Sequence, residues 1–270
     1  MRKNSYSKLV WGVAVCAVVA VGLAGSASAT PFPNSAVINE RIFNDCPTSV
    51  LTTENNYPAQ IAIQDDNLSC GGFANRHNWR FSEDGVSDAV FNNADGFSFC
   101  AILTLTGTAD GEAGLQITPW WSQDVDGVFN VRSTDGEIAC FGGRLPFYSF
   151  TASQGVVYMK GESIFMRITY LPHDLNESNP ATVQYDLIYD GMFYSSGPLP
   201  FDQGNPDEDP PYGLWGMLND GRAGAFVQCF LQAGNPDANF RAEWTQICFE
   251  NLDVVPTTTN TWGEVKSLYK

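Results

Sequence analysis

The sequence predicts an all-β protein in which two antiparallel sheets pack face to face. About fifteen short runs of strand-forming residues follow one another, separated by clusters of glycine, aspartate, asparagine and proline. No helical periodicity of useful length occurs between residue 30 and the last ten residues. Several runs alternate between apolar and polar residues, as strands do when one face covers a core. Many short strands in one unbroken series favour a β-sandwich, here a single domain at residues 30–255.

Each predicted strand lies between turn-forming residues, and its interior holds β-branched, aromatic or alternating residues. In chain order the predicted strands are Val37–Phe43, Ala59–Gln64, Trp79–Phe81, Ala89–Asn92, Phe97–Thr106, Ala113–Thr118, Val128–Ser133, Glu137–Phe141, Val156–Lys160, Ile164–Leu171, Thr182–Tyr189, Met192–Ser196, Tyr212–Leu218, Ala225–Leu231 and Arg241–Asp253.

The alternation also sorts side chains onto the two faces of each sheet, because successive residues of a strand point in opposite directions. In five of the runs the apolar residues share one face and the polar residues share the other. The polar set is Glu112, Gln116, Thr118, Asn130, Arg132, Arg167, Thr169, Gln184 and Asp186. If these strands are neighbours, the set forms a broad polar surface suited to a ligand. The alternative is an ordinary solvated face.

The first 29 residues are predicted to be a bacterial-type secretory signal peptide. A basic start leads into an apolar run at residues 10–23, which ends in the small-residue pattern Ala27-Ser28-Ala29. The run is short for a membrane span. The mature chain is therefore predicted to begin at Thr30, to lack a transmembrane span, and to be secreted, periplasmic or held at the cell surface.

The charge of the mature chain excludes one class of partner. Its 241 residues include 11 basic and 30 acidic ones, a net charge of −19. Such a surface repels phosphate backbones and anionic lipids, so nucleic acid is not a predicted partner. The charge argues less strongly against anionic polysaccharides. Neutral glycans or other cell-surface polymers, cations and basic proteins remain open.

Six cysteines remain after the leader, and an even number in an exported chain predicts three disulfides. We predict that neighbours in sequence pair, as Cys46–Cys70, Cys100–Cys140 and Cys229–Cys248. No Cys-x-x-Cys motif occurs, which disfavours a zinc knuckle or a thioredoxin-type site.

The strand pattern resembles the concanavalin-type jelly rolls. The resemblance spans residues 36–255 and is carried by the runs Phe97–Thr106, 111–117 and 164–170 and by a closing strand at 242–252. This superfamily includes legume lectins, laminin-G-like modules, β-glucanases and polysaccharide lyases. The resemblance implies a two-sheet jelly roll in which one concave sheet presents the ligand site. It assigns no characterised family within that group.

The richest local motif lies at residues 119–127, where Trp120 and Trp121 stand close to Asp124 and Asp126. Tryptophan rings stack on sugar faces, and carboxylates accept hydrogen bonds from hydroxyl groups. The motif therefore predicts a carbohydrate contact. The alternatives are oxygen ligands for calcium and a plain hairpin turn with tryptophans at the edge of the core.

A second motif crowds oxygen ligands into the segment 201–212. Its candidate calcium ligands are Asp202, Asn205, Asp207 and Asp209. Calcium is the only cofactor that the sequence suggests. The spacing is not that of an EF-hand, and a solvated acidic loop without metal is the alternative.

A third motif runs from Trp215 to Arg222. Here Asn219, Asp220 and Arg222 follow Trp215 at a turn and could line one end of a ligand groove. A hairpin turn beside a core tryptophan explains the same residues.

Catalytic candidates are few. The Glu-x-Asp-x-x-Glu strand of the glucanases is absent, and so is the Gly-x-Ser-x-Gly elbow of Ser-His-Asp hydrolases. Glu112 and Asp186 are the best carboxylate pair for glycoside hydrolysis, which needs a separation of about 5–9 Å. For lyase chemistry, which needs a base beside charge-neutralising groups, His77 between Arg76 and Arg80 is a weaker candidate, with an exposed loop histidine as the alternative.

The sequence therefore predicts a secreted, disulfide-stabilised protein that binds a carbohydrate ligand without turning it over. One alternative is an extracellular polysaccharide-active enzyme, a glycoside hydrolase or lyase, of the same fold. The other is a structural cell-surface protein.

Residues 256–270 are predicted to form a polar linker and a short amphipathic tail.

Overall fold

The computed structural model describes residues 30–201, 215–216, 218 and 220–252. Within these residues the chain forms strands, one 3-10 turn at Trp120–Ser122 and one short helix, α1 (Phe150–Gln154). The strands are β1 (Ser35–Asn44), β2 (Val50–Asn56), β3 (Gln60–Asp66), β4 (Ala74–Ser82), β5 (Phe97–Thr106), β6 (Gly111–Thr118), β7 (Val128–Arg132), β8 (Ile138–Phe141), β9 (Tyr148–Ser149), β10 (Ser163–Leu171), β11 (Thr182–Tyr189), β12 (Met192–Pro200), β13 (Arg222–Phe230) and β14 (Asn239–Asn251).

The strands make two seven-stranded antiparallel sheets. The first sheet has the order β1-β4-β13-β6-β7-β8-β9, and the second has the order β12-β11-β10-β5-β14-β3-β2. Some neighbouring strands in each sheet come from distant parts of the chain. For example, β13 lies between β4 and β6, and β14 lies between β3 and β5. The predicted all-β sandwich is confirmed.

One hydrophobic core fills the space between the sheets. Trp79 of β4 packs edge-on against Trp244 of β14, which joins the first sheet to the second. Phe81 crosses the same space to Phe99, also at an edge-to-face angle. These side chains are fully buried, so the alternation seen in the sequence places the apolar residues inward and the polar residues outward.

Three predicted strands differ from the structure. Residues 89–92 form only an isolated bridge between Phe91 and Gly221, and residues 156–160 are irregular. The predicted strand 212–218 is described only at residues 215, 216 and 218, which are not in a strand. Conversely, β2 was not predicted from the sequence. It is a polar edge strand whose residues are half-buried or exposed, so it lacks the apolar alternation that marks a strand facing the core.

The structure confirms one of the three predicted disulfides and contradicts the other two. Cys46–Cys70 is confirmed. Cys100 bonds to Cys248, so the predicted pairs 100–140 and 229–248 are wrong. The reason is sheet register, because Cys100 and Cys248 are direct partners on the neighbouring strands β5 and β14. Cys140 and Cys229 are buried free thiols.

Among the described residues, no helix has the length and apolar character needed to cross a membrane.

Candidate functional site

The candidate site is the outer surface of the first sheet, formed by outward side chains of β4, β13, β6 and β7. We call it the polar face. It exists because alternate residues of these strands, such as Trp79, Val227 and Leu115, enter the core. The residues between them turn to the other side of the sheet. The polar face comprises Arg76, Asn78, Arg80, Gln116, Glu112, Asn130, Arg132, Arg222, Phe226 and Gln228.

A row of polar side chains crosses the sheet at the middle of the polar face. Strand register aligns Arg76, Gln228, Glu112 and Arg132 on four successive strands. The Arg76 guanidinium donates to Gln228 Oε1 at 3.4 Å, and Gln228 Nε2 donates to Glu112 Oε1 at 3.1 Å. Asn130 Nδ2 donates to the other oxygen of Glu112 at 3.0 Å. The row thus links a cation to a carboxylate through a carboxamide.

A second arginine lies deeper on the same face. The Arg80 guanidinium is 1% exposed and donates to Gln116 Oε1 at 2.9 Å and to the carbonyl oxygen of Ala225 at 3.1 Å. Arg76 is 5% exposed and its guanidinium stands 4.4 Å from the centre of the Phe226 ring. Two cations are therefore almost fully withdrawn from solvent on one face.

Neither of these two guanidiniums has a carboxylate partner within 4.0 Å among the residues that the structure describes. Their contacts are amide and carbonyl oxygens. Burial lowers the pKa of Arg76 to about 10 and that of Arg80 to about 9, although the charge of Glu112 opposes the shift at Arg76 and that of Asp88 opposes it at Arg80. Both stay charged at neutral pH, so the polar face holds two buried positive charges without a neutralising ion pair.

Buried polar atoms on this face also lack partners. Arg76 Nε, Asn78 Oδ1 and Asn130 Oδ1 make no hydrogen bond within the described parts of the chain. Buried polar atoms are normally paired, and each exception calls for an explanation. Here the unpaired set offers one donor and two acceptors, the kinds of group that meet carboxylate and hydroxyl groups of a ligand.

Glu112 is the one carboxylate in the central row. It is half-buried, and desolvation raises its pKa despite the hydrogen bond from Asn130 and the charge of Arg76. A carboxylate with a raised pKa beside cations is the usual environment of a general acid or base. Arg132, at the end of the row, is already neutralised by Asp135 at 2.6 Å and Glu137 at 2.7 Å.

The segment 119–127, which we call the covering loop, lies over the arginines. Its backbone carbonyls accept hydrogen bonds from the polar face: Gln123 from Arg80, Asp124 from Asn78 and Val125 from Arg76, at 2.8–3.0 Å. The loop closes at Gly127, whose φ of 75° is the left-handed conformation that glycine adopts without strain. The loop therefore occupies, with neutral oxygens, the donors that an anionic ligand would use.

The predicted carbohydrate motif is this covering loop. The structure brings it to the polar face, as a binding role requires, but through backbone carbonyls and not through the carboxylates of Asp124 and Asp126. Asp124 is exposed, whereas Asp126 and Trp121 are half-buried. The side chain of Trp120 is outside the described part of the structure.

Arg222 also lies on the polar face, at the end of β13 opposite Thr118 of β6. It contacts Asp220 at 3.3 Å and Asp88 at 3.9 Å, so its charge is compensated. Trp215 is half-buried at a turn. Asn219 and the predicted calcium ligands Asp202, Asn205, Asp207 and Asp209 lie outside the described residues.

Three predicted site residues lie elsewhere. Arg167 and Asp186 pair with each other at 2.8 Å on β10 and β11 of the second sheet, and their side chains point away from the core. They are therefore on the opposite side of the sandwich from Glu112. The predicted pairing of Glu112 with Asp186 is wrong, because their strands belong to different sheets. His77 is fully buried on the inner face of β4, so the alternative prediction of an exposed loop histidine is wrong.

From the sequence, Arg76 and Arg80 were named only as neighbours of the candidate base His77, and Asn78 and Gln228 were not predicted as site residues. A signal for them existed, since Arg76, Asn78 and Arg80 recur at every second position. This alternation is hard to recognise because the residues between the three include polar His77. Both faces of β4 are buried, so the strand shows no contrast between an apolar and a polar face.

Comparisons with known proteins find distant structural likenesses alone. No protein-family model matches the chain, and no curated protein matches it. Among solved structures, the alginate lyase from Klebsiella pneumoniae is 8% identical with a TM-score of 0.48, over 80% of this chain and 95% of that one. A variant of alginate lyase A1-II′ is also 8% identical, with a TM-score of 0.46, over 80% and 94%.

A functionally unknown protein from Saccharomyces cerevisiae is 10% identical with a TM-score of 0.40, over 80% of this chain and 96% of that one. Likenesses at this level carry no argument about activity.

Proposed function

We propose that this protein is an extracellular enzyme that cleaves an acidic polysaccharide by β-elimination on the polar face. The observation that carries the proposal is the pair of buried guanidiniums, Arg76 and Arg80, that lack a carboxylate partner among the described residues. Burying a cation without a counter-charge is costly. In a mature chain with a net charge of −19, such a pair is supported better as a ligand site than as a structural device.

The ligand that fits this pair is a sugar carrying a carboxylate. A guanidinium binds a carboxylate through two parallel hydrogen bonds, and Arg76 still has an unpartnered Nε. The surrounding amides of Asn78, Gln116 and Asn130 suit ring hydroxyl groups. This choice of ligand reverses the expectation, drawn from net charge alone, that anionic polysaccharides are disfavoured.

The proposed reaction uses the same arrangement. Neutralising the uronate carboxylate acidifies the hydrogen on the adjacent ring carbon, C5. Glu112 removes that proton, the electron pair forms the C4–C5 double bond, and the C4–O glycosidic bond breaks. The leaving oxygen takes up a proton, for which the newly protonated Glu112 is the nearest carboxyl source in the row. The raised pKa of Glu112 suits both roles.

Access to the arginines requires the covering loop to move aside, because the carbonyls of Gln123 and Val125 hold the donors that the substrate would take. The exchange replaces neutral acceptors with a charged one. Both kinds of bond have a cationic donor, but a carboxylate acceptor adds the attraction of opposite charges in a poorly solvated place, which gives the substrate the means to displace the loop.

A second candidate is a non-catalytic binder of the same acidic glycans. It is favoured by the two amide donors that Asn130 and Gln228 direct at Glu112, since these hold the carboxylate away from a proton-abstracting role. Both candidates place the protein outside the cytoplasm, which the disulfides and the predicted leader support.

One experiment separates the candidates. The mature protein is mixed with a panel of uronate-containing and neutral polysaccharides, and two signals are followed: binding, and the ultraviolet absorbance of the unsaturated uronate that β-elimination creates. The enzyme gives both signals with an acidic polymer, and the binder gives only the first. Arg76→Lys should lose both, whereas the same change at Arg167 on the second sheet should leave them intact. Failure of every acidic polymer to bind would refute the proposal.

A further inference from the structure

Three phenylalanines lie together at one end of the polar face, beside Arg76. Phe43 is the direct partner of Arg76 on the edge strand β1, so the two side chains lie on the same side of the sheet. Phe230 of β13 comes two residues after Gln228 and therefore lies on that side as well. Phe73, which immediately precedes β4, packs its ring against that of Phe230, with ring centres 5.3 Å apart. We call these three phenylalanines the aromatic patch.

The aromatic patch is exposed to solvent and does not serve the core. Phe73 is 58% exposed and Phe43 is 38% exposed, while Phe230 is half-buried. Single apolar side chains on a surface are ordinary, but adjoining exposed rings beside a polar surface are typical of a place that a ligand covers.

The backbone that carries the most exposed ring is held in place. The N–H of Phe73 donates to Asp45 Oδ2 at 2.8 Å, and its carbonyl oxygen accepts from the N–H of Leu231 at 3.0 Å. The disulfide Cys46–Cys70 ties down the chain three residues earlier. A phenylalanine side chain has only two rotatable bonds, so a ring on a fixed backbone loses little conformational entropy when a ligand stacks on it. Such preorganisation favours binding.

The charges around the aromatic patch differ from those around the two arginines. Asp45 and Phe230 flank Ala74, because the Asp45 N–H donates to the Ala74 carbonyl oxygen and Phe230 is the strand partner of Ala74. Asp45 has no ion-pair partner among the described residues. Asp110, whose carbonyl oxygen accepts from the Phe230 N–H, is neutralised by Lys160 at 2.9 Å. The patch thus combines apolar rings with an uncompensated carboxylate, which disfavours a second anionic group.

We propose that the aromatic patch is a second sugar subsite, which takes a neutral pyranose next to the uronate held by Arg76; this inference rests on the proposed function of the polar face. Aromatic rings stack on the C–H face of a pyranose, and that contact needs no charge. Neighbouring strands lie about 4.8 Å apart, so Phe43 is about one sugar unit away from Arg76 along the row. The substrate class is therefore a mixed polysaccharide in which uronates are joined to neutral sugars, and not a polymer of uronates alone.

The test compares two oligosaccharides of equal length, one with alternating uronate and neutral sugars and one with uronates alone. Dissociation constants are measured for the wild type and for Phe73→Ala. We expect the wild type to bind the mixed oligosaccharide at least about tenfold more tightly than the uronate oligosaccharide, and Phe73→Ala to weaken the mixed complex by roughly 3–10-fold. The same variant should change the affinity for the uronate oligosaccharide by less than about twofold, because that ligand gains little from the ring.

Phe193 provides the matched control, because its ring is 57% exposed but lies on β12 of the second sheet. Phe193→Ala should leave both affinities unchanged. Phe43→Ala should weaken the mixed complex as Phe73→Ala does, and it tests the same subsite if Phe73→Ala does not fold. Melting curves show which of these variants are folded.

The outcomes separate this inference from the proposed function. If Arg76→Lys loses binding but Phe73→Ala and Phe193→Ala bind the mixed oligosaccharide equally well, the inference is overturned and the proposed function stands. A wild-type protein that prefers the uronate oligosaccharide would also overturn the inference alone. Wild-type affinity of Arg76→Lys for both oligosaccharides would refute the proposed function, and the inference with it.

Discussion

The outer surfaces of the two sheets differ in whether all of their arginines have acids beside them. On the second sheet every arginine has acids beside it: Arg167 contacts Asp186 at 2.8 Å, and Arg241 contacts Glu54 at 3.1 Å and Glu243 at 2.8 Å. On the polar face of the first sheet, the hydrogen-bond acceptors that the described residues offer to Arg76 and Arg80 are all neutral oxygens, whereas Arg132 and Arg222 have acids beside them. Complete ion pairs stabilise a fold by themselves, whereas incomplete ones mark a place where a ligand can contribute.

The largest contrast is expected in ligand handling. Arg76→Met on the polar face should reduce binding or turnover of an acidic polysaccharide by roughly 10²–10³-fold, because a charged donor to the ligand is lost. Arg167→Met on the second sheet should change it by less than about twofold, because Arg167 is paired with Asp186 on the opposite side of the sandwich. Affinity and rate measurements on both variants check this. Equal losses in the two would show that the polar face is not the site.

The free energy of unfolding should show the reverse order, with a larger loss in Arg167→Met than in Arg76→Met. Arg167→Met leaves the carboxylate of Asp186 buried with only Gln184 as a donor, and we expect a loss of about 1–3 kcal/mol. Arg76→Met removes a buried unpaired cation and should change the free energy of unfolding by less than about 1 kcal/mol. Denaturant titration of both proteins measures these values. A larger loss at Arg76 would mean that its charge is structurally compensated.

One acidic residue on each sheet should contribute to folding stability with the opposite dependence on pH. Burial raises the pKa of Glu112, so its contribution favours folding at low pH and is lost as the pH rises through that pKa. The hydrogen bond from Arg241 lowers the pKa of Glu243, so its contribution is present above the ordinary glutamate range and is lost on acidification.

Melting temperatures from about pH 3 to pH 7 should therefore diverge between two variants. Relative to wild type, Glu112→Gln should gain stability as the pH rises, and Glu243→Gln should lose it. Glu112→Gln should also keep glycan binding while losing β-elimination. Parallel pH profiles for the two variants would contradict the assigned environments.

The smallest effect is expected in the covering loop. Asp124 and Asp126 place negative charge near Arg76, while their backbone carbonyls make the hydrogen bonds to the sheet. Asp124→Asn with Asp126→Asn should tighten the binding of an acidic glycan by a few-fold, and less so at high salt. A weaker complex would instead support the original interpretation of these carboxylates as sugar contacts.

The fold could be predicted because alternation is a local property of each strand. In β6 and β7, one face is fully apolar, so Glu112, Gln116, Asn130 and Arg132 were identified as outward residues from the sequence alone. In β4, all nine residues are buried and no such contrast exists, which is why Arg76 and Arg80 could not be assigned to the polar face from the sequence.

Pairing between strands could not be predicted, because it depends on contacts between distant parts of the chain. Cys100 and Cys248 are 148 residues apart and yet lie opposite each other. Glu112 and Asp186 are much closer in sequence but lie on different sheets. Sequence alternation shows which face of a sheet a side chain lies on. The order of the strands in the sheet decides which side chains are its neighbours.

The row formed by Arg76, Gln228, Glu112 and Arg132 takes one residue from each of four neighbouring strands. It therefore runs crosswise to the strands and extends for about 14 Å at the usual strand spacing. A polymer lying along it would cross the sheet from side to side, with its ends free beyond both margins. Recognition would then depend on the number of consecutive sugars and not on a chain terminus, so that affinity should climb with oligomer length until the row is filled and then level off.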